Sequence, residues 1–220
     1  MNTGTREIAI YGAGGFGREI ACLIRKINEA NPSEEQWKLI GFFDDGVPVG
    51  TRNTYGEILG GIEALNAFSR QLAVVMAIAT PAVLLSLPEK IKNPNIYFPN
   101  LIAPDVVFFD QASVSVGRGN VIGWGSRISC NVSLGDFNIA VGSLSVGHDS
   151  QIGNGNAMFP ETRISGGCQI GDGNFFGMRS AVLQYVKIGN NTRIGAGSFV
   201  MRKTKDGFLY TGNPARKTEL

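Results

Sequence analysis

The chain has 220 residues with 20 basic and 18 acidic side chains, a net charge of +2. A hydrophobic fraction of 43% indicates a globular protein rather than a disordered one, and the near-zero charge argues against bulk nucleic-acid binding. The longest apolar run, residues 72–79, falls far short of the roughly 18 residues that cross a bilayer, so no membrane segment is predicted. Glycines interrupt the first apolar run, so no signal peptide is predicted and a cytoplasmic location is expected.

The first elements in chain order resemble a nucleotide-binding βαβ unit. Residues 6–11 predict a short buried strand that leads into the sequence GAGGFG at 12–17, and this loop opens a predicted helix that continues to Ile27. Backbone amides at the start of such a helix can bind a phosphate. The order strand, glycine loop, helix therefore predicts an α/β domain of Rossmann-like type.

Further elements extend this domain to about residue 99. A second strand, 38–43, ends at Asp44, where a ribose hydroxyl could bind, while Asp45 is expected to be a solvated turn residue. A third strand, 73–79, ends at Thr80 before a helix around 83–91. About 100 residues are too few for two mononucleotide-binding halves, so a complete NAD site is not expected. We predict two domains, 1–99 and 100–220.

The C-terminal half has a repeat of six residues. Stepping by six from Val116 to Val200 gives fifteen apolar residues without a slip in register, and glycine follows nine of them. Helices and two-sided strands have apolar periods of 3.6 and 2, so neither produces this pattern. A period of six predicts a parallel β-helix with one inward side chain per short strand. The following glycines are expected to supply the backbone torsions of the corners.

These repeats resemble the left-handed β-helix hexapeptide-repeat acyltransferases. The sequence GHD around His148, together with GNPAR at 212–216, is similar to the sialic-acid O-acetyltransferases and the bacillosamine-type UDP-amino-sugar N-acetyltransferases. The resemblance implies about five triangular coils, a homotrimer, acetyl-CoA as co-substrate and no metal. It also implies that the N-terminal domain binds a UDP-linked sugar, with candidate contacts at Gly12, Gly14, Gly15, Asp44 and Thr80.

His148 is the candidate general base and the only histidine of the chain. A neutral imidazole can accept a proton from an attacking amine or hydroxyl near pH 7. Asp149 could orient the ring, provided that the corner bends the chain, because adjacent strand residues point to opposite faces. Glu161 and Asp136 are reserve candidates. Cys168 could be proposed as a nucleophile, but it occupies a small-residue position of the repeat, and packing explains it better.

The resemblance also assigns the acyl-donor site. Gly166, one coil of 18 residues after His148, would donate its N–H to the thioester oxygen. Coenzyme A would lie along the late coils, against Gly195, Ala196 and Gly197, with its phosphates near Arg202, Lys203 and Lys205. Two positions depart from the family pattern. Ala157 stands where a second histidine contacts acetyl-CoA in relatives, and Val141 replaces an asparagine.

The predicted function is acetyl transfer from acetyl-CoA to the amino group of a UDP-linked amino sugar by direct attack on the thioester. O-acetylation of a free sugar such as sialic acid would use the same base and is the nearest alternative. A nicotinamide oxidoreductase and a non-catalytic trimeric scaffold are more remote alternatives. A zinc carbonic anhydrase would need three histidines around the metal, and the chain has one.

Overall fold

The computed structural model describes residues 5–218, which form two compact units. The first unit comprises residues up to 78 together with 86–104, and the second comprises 79–85 and 105 onward. By their contacts, the first residues of the helix Pro81–Lys90 therefore belong to the second unit. The predicted border between residues 99 and 100 stays a prediction based on the sequence.

The first unit contains a six-stranded sheet in the order β3, β4, β2, β1, β5, β6. All neighbouring pairs are parallel except β3 with β4. The bounds are β1 Thr5–Tyr11, α1 Gly15–Ala30, β2 Gln36–Phe43, β3 Arg52–Asn53, β4 Gly56–Gly60, α2 Ile62–Asn66, β5 Leu72–Met76, α3 Pro81–Lys90, β6 Ile96–Tyr97 and β7 Leu101–Ile102.

The central strands are apolar on both faces, as expected for a parallel sheet. Every residue of β5 is buried, and so are the last four residues of β1. The three predicted strands and two predicted helices are present within a few residues of their expected bounds. The short elements β3, β4, α2 and β6 were not predicted, because two to five residues are too few to show an apolar period.

The second unit is a left-handed parallel β-helix, which confirms the predicted fold class. Each of the fifteen apolar positions from Val116 to Val200 ends a two-residue strand, and fourteen of them are buried. The strands are β8 Val107–Phe108, β9 Ser115–Val116, β10 Val121–Ile122, β11 Arg127–Ile128, β12 Ser133–Leu134, β13 Ile139–Ala140, β14 Ser145–Val146, β15 Gln151–Ile152, β16 Ala157–Met158, β17 Arg163–Ile164, β18 Gln169–Ile170, β19 Phe175–Phe176, β20 Ala181–Val182, β21 Lys187–Ile188, β22 Arg193–Ile194 and β23 Phe199–Val200.

Three parallel sheets form the three faces of this helix. Face 1 contains β10, β13, β16, β19 and β22, face 2 contains β8, β11, β14, β17, β20 and β23, and face 3 contains β9, β12, β15, β18 and β21. From β9 to β23 paired residues are 18 apart, so the chain passes from face 1 to 2 to 3 and back. Residues 18 apart therefore stack in columns. A hairpin of β24 Leu209–Gly212 and β25 Ala215–Thr218 extends face 1 beyond β22.

The glycines beside the inward residues have a different role from the predicted one. None of the nine has a positive φ. The left-handed residue at every corner lies two positions later, and at eight of these fourteen turn positions from 119 to 197 it is not glycine. The nine glycines instead allow coils to approach. A Cβ on Gly153, for example, would overlap Asp172 Oδ1 and lie 2.9 Å from the backbone of Gly171.

This correction predicts opposite outcomes for two glycine substitutions. Gly153→Ala should destabilise the protein by about 1–3 kcal/mol, because the added methyl group overlaps the next coil. Gly197→Asn should leave the melting temperature nearly unchanged. Its φ is +65°, a Cβ there would meet nothing within 4 Å, and asparagine occupies the same turn position at Asn131 and Asn191. Thermal unfolding of both variants tests the interpretation, and a larger loss for Gly197→Asn would contradict it.

Candidate active site

His148 lies on the corner between faces 2 and 3, two residues after the inward Val146. The turn keeps the imidazole out of the apolar interior, and 46% of its side chain is exposed. The backbone around it is fixed by neighbouring coils, since the Gly147 N–H donates to the Ile164 carbonyl and the His148 carbonyl accepts from Gly167. A solvent-accessible ring is thus held on a rigid backbone.

Asp149 contacts the imidazole directly. The distance from His148 Nδ1 to Asp149 Oδ2 is 2.7 Å. This contact between adjacent residues is possible because Asp149 has a φ of +58°, which bends the chain at the turn position. The hydrogen bond with His148, followed by one from Asn131, lowers the pKa of the Asp149 carboxyl below its ordinary value. The carboxylate therefore stays ionised where an imidazole titrates, and it contacts Nδ1 rather than Nε2.

Asn131 is a site residue that the sequence reasoning missed. It precedes Asp149 by 18 residues in the same column, and its Nδ2 donates to Asp149 Oδ1 at 3.0 Å. Its own backbone N–H donates to Ser113 Oγ at 2.9 Å. Asn131 therefore fixes the carboxylate oxygen that His148 does not use. The 18-residue spacing is the signal that could have identified it.

Gly166 lies directly beside the imidazole. A Cβ on this residue would be 2.6 Å from His148 Nε2 and within 2.9 Å of two ring carbons. Only glycine therefore leaves space for the ring in this position. Among residues 5–218 the Gly166 N–H has no hydrogen-bond acceptor. The structure thus brings together the candidate base, its orienting carboxylate and a backbone N–H donor.

The reserve carboxylates lie on other corners. Glu161 is between faces 1 and 2 and pairs with Arg179 at 3.0 Å, while Asp136 is between faces 3 and 1 and accepts from the Arg118 N–H. Cys168 is fully buried, and burial raises the pKa of its thiol, so it is a poor nucleophile. None of these three groups is placed to replace His148.

The candidate coenzyme residues divide between two corners and one face. Arg202 and Lys203 are exposed and follow β23, the last strand of face 2. Lys205 is also exposed, near the end of the β-helix. Ala157 is fully buried on face 1, away from the corner that carries His148. A set of three small residues lies on the corner between faces 1 and 2, namely Gly195, Ala196 and Gly197.

The glycine loop of the first unit has two kinds of glycine. Gly12 and Gly17 are packing positions: Gly12 has a φ of +109°, and a Cβ on Gly17 would overlap the Gly12 carbonyl oxygen. Gly14 and Gly15 are exposed. Among residues 5–218 no side-chain hydrogen bond caps α1 at its N-cap Gly14, and the first turn of this helix contains no acidic residue. The open end of this helix is suited to an anion.

Asp44 and Asp45 brace the same edge of the sheet. Asp44 accepts from the Ala13 N–H at 2.8 Å and from Gly46 at 2.9 Å. Asp45 is an exposed turn residue, as expected, and it also accepts from the Tyr11 hydroxyl and from the Ile62 N–H. Burial and these two carboxylates raise the pKa of Tyr11. In the second unit, the carbonyl of the exposed Thr80 accepts two of the first amides of α3.

Across residues 5–218 there is neither a group of three or more His, Cys, Asp or Glu side chains that could hold a metal ion nor a helix of the length and hydropathy needed to span a membrane.

Two protein families match the chain. The PglD N-terminal domain matches residues 7–91, and the bacterial transferase hexapeptide (six repeats) matches residues 167–202. No curated protein sequence matches it. Similar solved structures cover nearly the whole chain.

The acetyltransferase domain of PglB from Neisseria gonorrhoeae FA1090 is 25% identical with a TM-score of 0.86, over 97% of this chain and 100% of that one. A mutant of GDP-perosamine N-acetyl transferase from Caulobacter crescentus, in complex with CoA and GDP-perosamine, is 25% identical with a TM-score of 0.80, over 100% and 98%. WeeI from Acinetobacter baumannii AYE is 25% identical with a TM-score of 0.83, over 97% and 100%.

The contact between Asn131 and Asp149 predicts a measurable change in the titration of the carboxyl. In Asn131→Gly the left-handed turn is retained but the donor is lost, so the pKa of Asp149 should rise toward its ordinary value. Carbon-13 NMR of the aspartate carboxyls measures this. Asn191→Gly, the same substitution on the corner between faces 3 and 1, is the control. An unchanged Asp149 titration in Asn131→Gly would refute the contact.

Proposed function

We propose that this chain transfers the acetyl group of acetyl-CoA to the amino group of a nucleotide-linked amino sugar, because residues 7–91 match the PglD N-terminal domain and residues 167–202 match bacterial transferase hexapeptide repeats. The observation that carries the proposal is the geometry at His148. Nδ1 is held by Asp149, while Nε2 lies beside Gly166, whose N–H has no acceptor in the described part of the chain.

The proposed reaction needs one base and one oxyanion donor. The amine nitrogen attacks the thioester carbonyl carbon while His148 Nε2 accepts a proton from the amine. The Gly166 N–H donates to the carbonyl oxygen as negative charge develops on it. When the carbon–sulfur bond breaks, the imidazolium returns the proton to the departing thiolate. Asp149 stabilises the imidazolium in between, and no covalent enzyme intermediate forms.

Coenzyme A is proposed to lie along the corner between faces 2 and 3. Arg202 follows β23, which lies three coils beyond the β14 strand that precedes His148, and at strand spacing this is a distance of about 14 Å. The exposed apolar residues Leu183 and Met201 directly follow β20 and β23 at the edge of this corner. An apolar strip with a base at one end and cations at the other fits an acyl group, its linker and its phosphates.

The acceptor nucleotide is proposed to bind the first unit. The exposed Gly14 and Gly15 and the uncapped start of α1 would bind the phosphates, with Asp44 holding the loop through the Ala13 N–H. A UDP-linked sugar is the expectation from the sequence. GDP-linked perosamine is the sugar in the Caulobacter structure and is the competing acceptor. Thr80 and Gly12 remain candidate contacts.

The homotrimer also belongs to the proposal. Gly195, Ala196 and Gly197 lie on the corner between faces 1 and 2, not on that of His148, so a second copy would supply them to the coenzyme site. Trp124 and Met178 are 41% and 53% exposed on the same corner and would be covered by such an interface. Sedimentation equilibrium measures the number of subunits.

A substrate panel tests the acceptor. The protein is incubated with acetyl-CoA and, separately, UDP-linked amino sugars, GDP-perosamine and free sialic acid, and products are identified by mass spectrometry. We expect a gain of one acetyl group on a nucleotide-linked amino sugar. Acetylation of free sialic acid alone would establish the O-acetyltransferase alternative, and no product with any amino sugar would contradict the proposal.

Two variants test the base and its surroundings. His148→Ala should lower kcat by about 10²–10⁴-fold, the usual contribution of a general base. Gly166→Ala should also lower kcat, because the added methyl group displaces the imidazole while the φ of this residue needs no glycine. Circular dichroism should show both variants folded. Full acetyl transfer by His148→Ala would exclude this residue as the base.

A further inference from the structure

Tyr185 occupies a position at which a tyrosine is unfavourable for the backbone. Its φ is +62°, in the left-handed region that bulky side chains rarely adopt. The residue is 70% exposed, so no burial of the ring in the core compensates for this conformation. A strained, exposed residue next to a candidate active site invites a functional explanation.

The ring of Tyr185 packs against the glycine that follows Gly166. Tyr185 follows Gly167 by one coil, and a Cβ on Gly167 would be 2.5 Å from Tyr185 Cε1. The Tyr185 N–H donates to the Gly166 carbonyl at 3.0 Å, which fixes the backbone below the ring. Two consecutive glycines thus each lie under an aromatic ring. His148 from the preceding coil covers Gly166, and Tyr185 from the following coil covers Gly167.

Between these rings lies the proposed acyl site. The Gly166 N–H is the proposed donor to the thioester oxygen, and the Cα atoms of Gly166 and Gly167 are separated by one peptide, about 3.8 Å. An acyl chain bound at this donor therefore begins within side-chain reach of both rings. His148 contacts Asp149 and the Tyr185 ring contacts Gly167, so each ring borders one of the two consecutive glycines.

We propose that Tyr185 is a specificity-determining residue that limits the length of the transferred acyl group. Its ring would admit the methyl group of acetyl-CoA and exclude longer chains by steric overlap. This inference rests on the proposed function, since it assumes that the acyl group binds at Gly166. It assigns no proton transfer to the Tyr185 hydroxyl, so the phenyl ring alone should suffice.

Asparagine is the substitution that removes the ring with least effect on the fold. Asparagine tolerates the left-handed region, and the same turn position holds it at Asn131 and Asn191. Tyr185→Asn is therefore expected to fold. Tyr185→Phe keeps the ring and removes the hydroxyl. Ser143→Asn, at a turn position of the corner between faces 1 and 2, is the matched control for introducing asparagine.

The experiment measures acyl-chain selectivity. For wild type and the three variants, kcat/KM is determined with acetyl-, propionyl- and butyryl-CoA, with the UDP-linked amino sugar or GDP-perosamine that gives product in the panel as acceptor. The wild type should prefer acetyl- over butyryl-CoA by about 50-fold, a value in the range of steric discrimination by a pocket wall. Tyr185→Asn should reduce this preference at least about tenfold, whereas Tyr185→Phe and Ser143→Asn should keep it.

The ratio of kcat/KM for two acyl donors is insensitive to a partly folded sample, since both values are measured on the same protein. An unchanged ratio in Tyr185→Asn, or a wild type without preference, would overturn the inference. So would a loss of selectivity in Ser143→Asn equal to that in Tyr185→Asn.

Calorimetric titration with acetyl- and butyryl-CoA separates this inference from the proposed function, because binding needs no acceptor. If no sugar in the panel is acetylated, the assignment of the acceptor fails. The ratio of the two dissociation constants, compared between wild type and Tyr185→Asn, still decides the role of the ring. A ratio that shifts toward butyryl-CoA in the variant supports it, and an equal ratio contradicts it.

Discussion

The close approach of successive coils is the constraint on which the repeat unit depends. At one position of the hexapeptide, a Cβ would overlap the coil that follows, so glycine recurs there without any need for an unusual torsion. The turn position two residues later has the left-handed torsion, and eight of its fourteen residues are nevertheless not glycine. The two positions therefore differ in their requirements: the first holds glycine in nine of fifteen hexapeptides, and the second holds polar, charged and aromatic side chains as well as glycine.

This difference explains why the candidate site lies on a corner. Asn131, Asp149, Gly167 and Tyr185 all occupy the turn position, and the 18-residue coil stacks them in one column. His148 and Gly166 occupy the position before it. None of these side chains fills the apolar interior, so their replacement alters the site without opening a cavity. The core positions, by contrast, carry only packing.

Features that are local in sequence could be predicted, whereas contacts between residues on different coils could not. The apolar period of six is explicit in the chain, and His148 with Asp149 stands out as an adjacent pair, although their contact depends on the torsion of Asp149. Asn131 and Tyr185 are separated from the pair by whole coils and became visible only with the columns. The role of the glycines was misread because sequence shows that a residue is small but not whether torsion or space requires it. The contacts of Asp45 with Tyr11 and Ile62 could not be predicted, because these partners are distant in sequence.

The departures from the family pattern also fit the corner arrangement. Ala157 is fully buried on face 1, so a small side chain there serves packing within this chain, whereas a histidine would need its polar nitrogens satisfied. The proposed reaction requires no side chain at position 157. A base, a carboxylate that holds it and a backbone N–H lie together on one corner, and a backbone donor cannot be lost by substitution of its side chain. A chain with one histidine can therefore retain the proposed reaction, provided that His148 keeps its place beside Gly166.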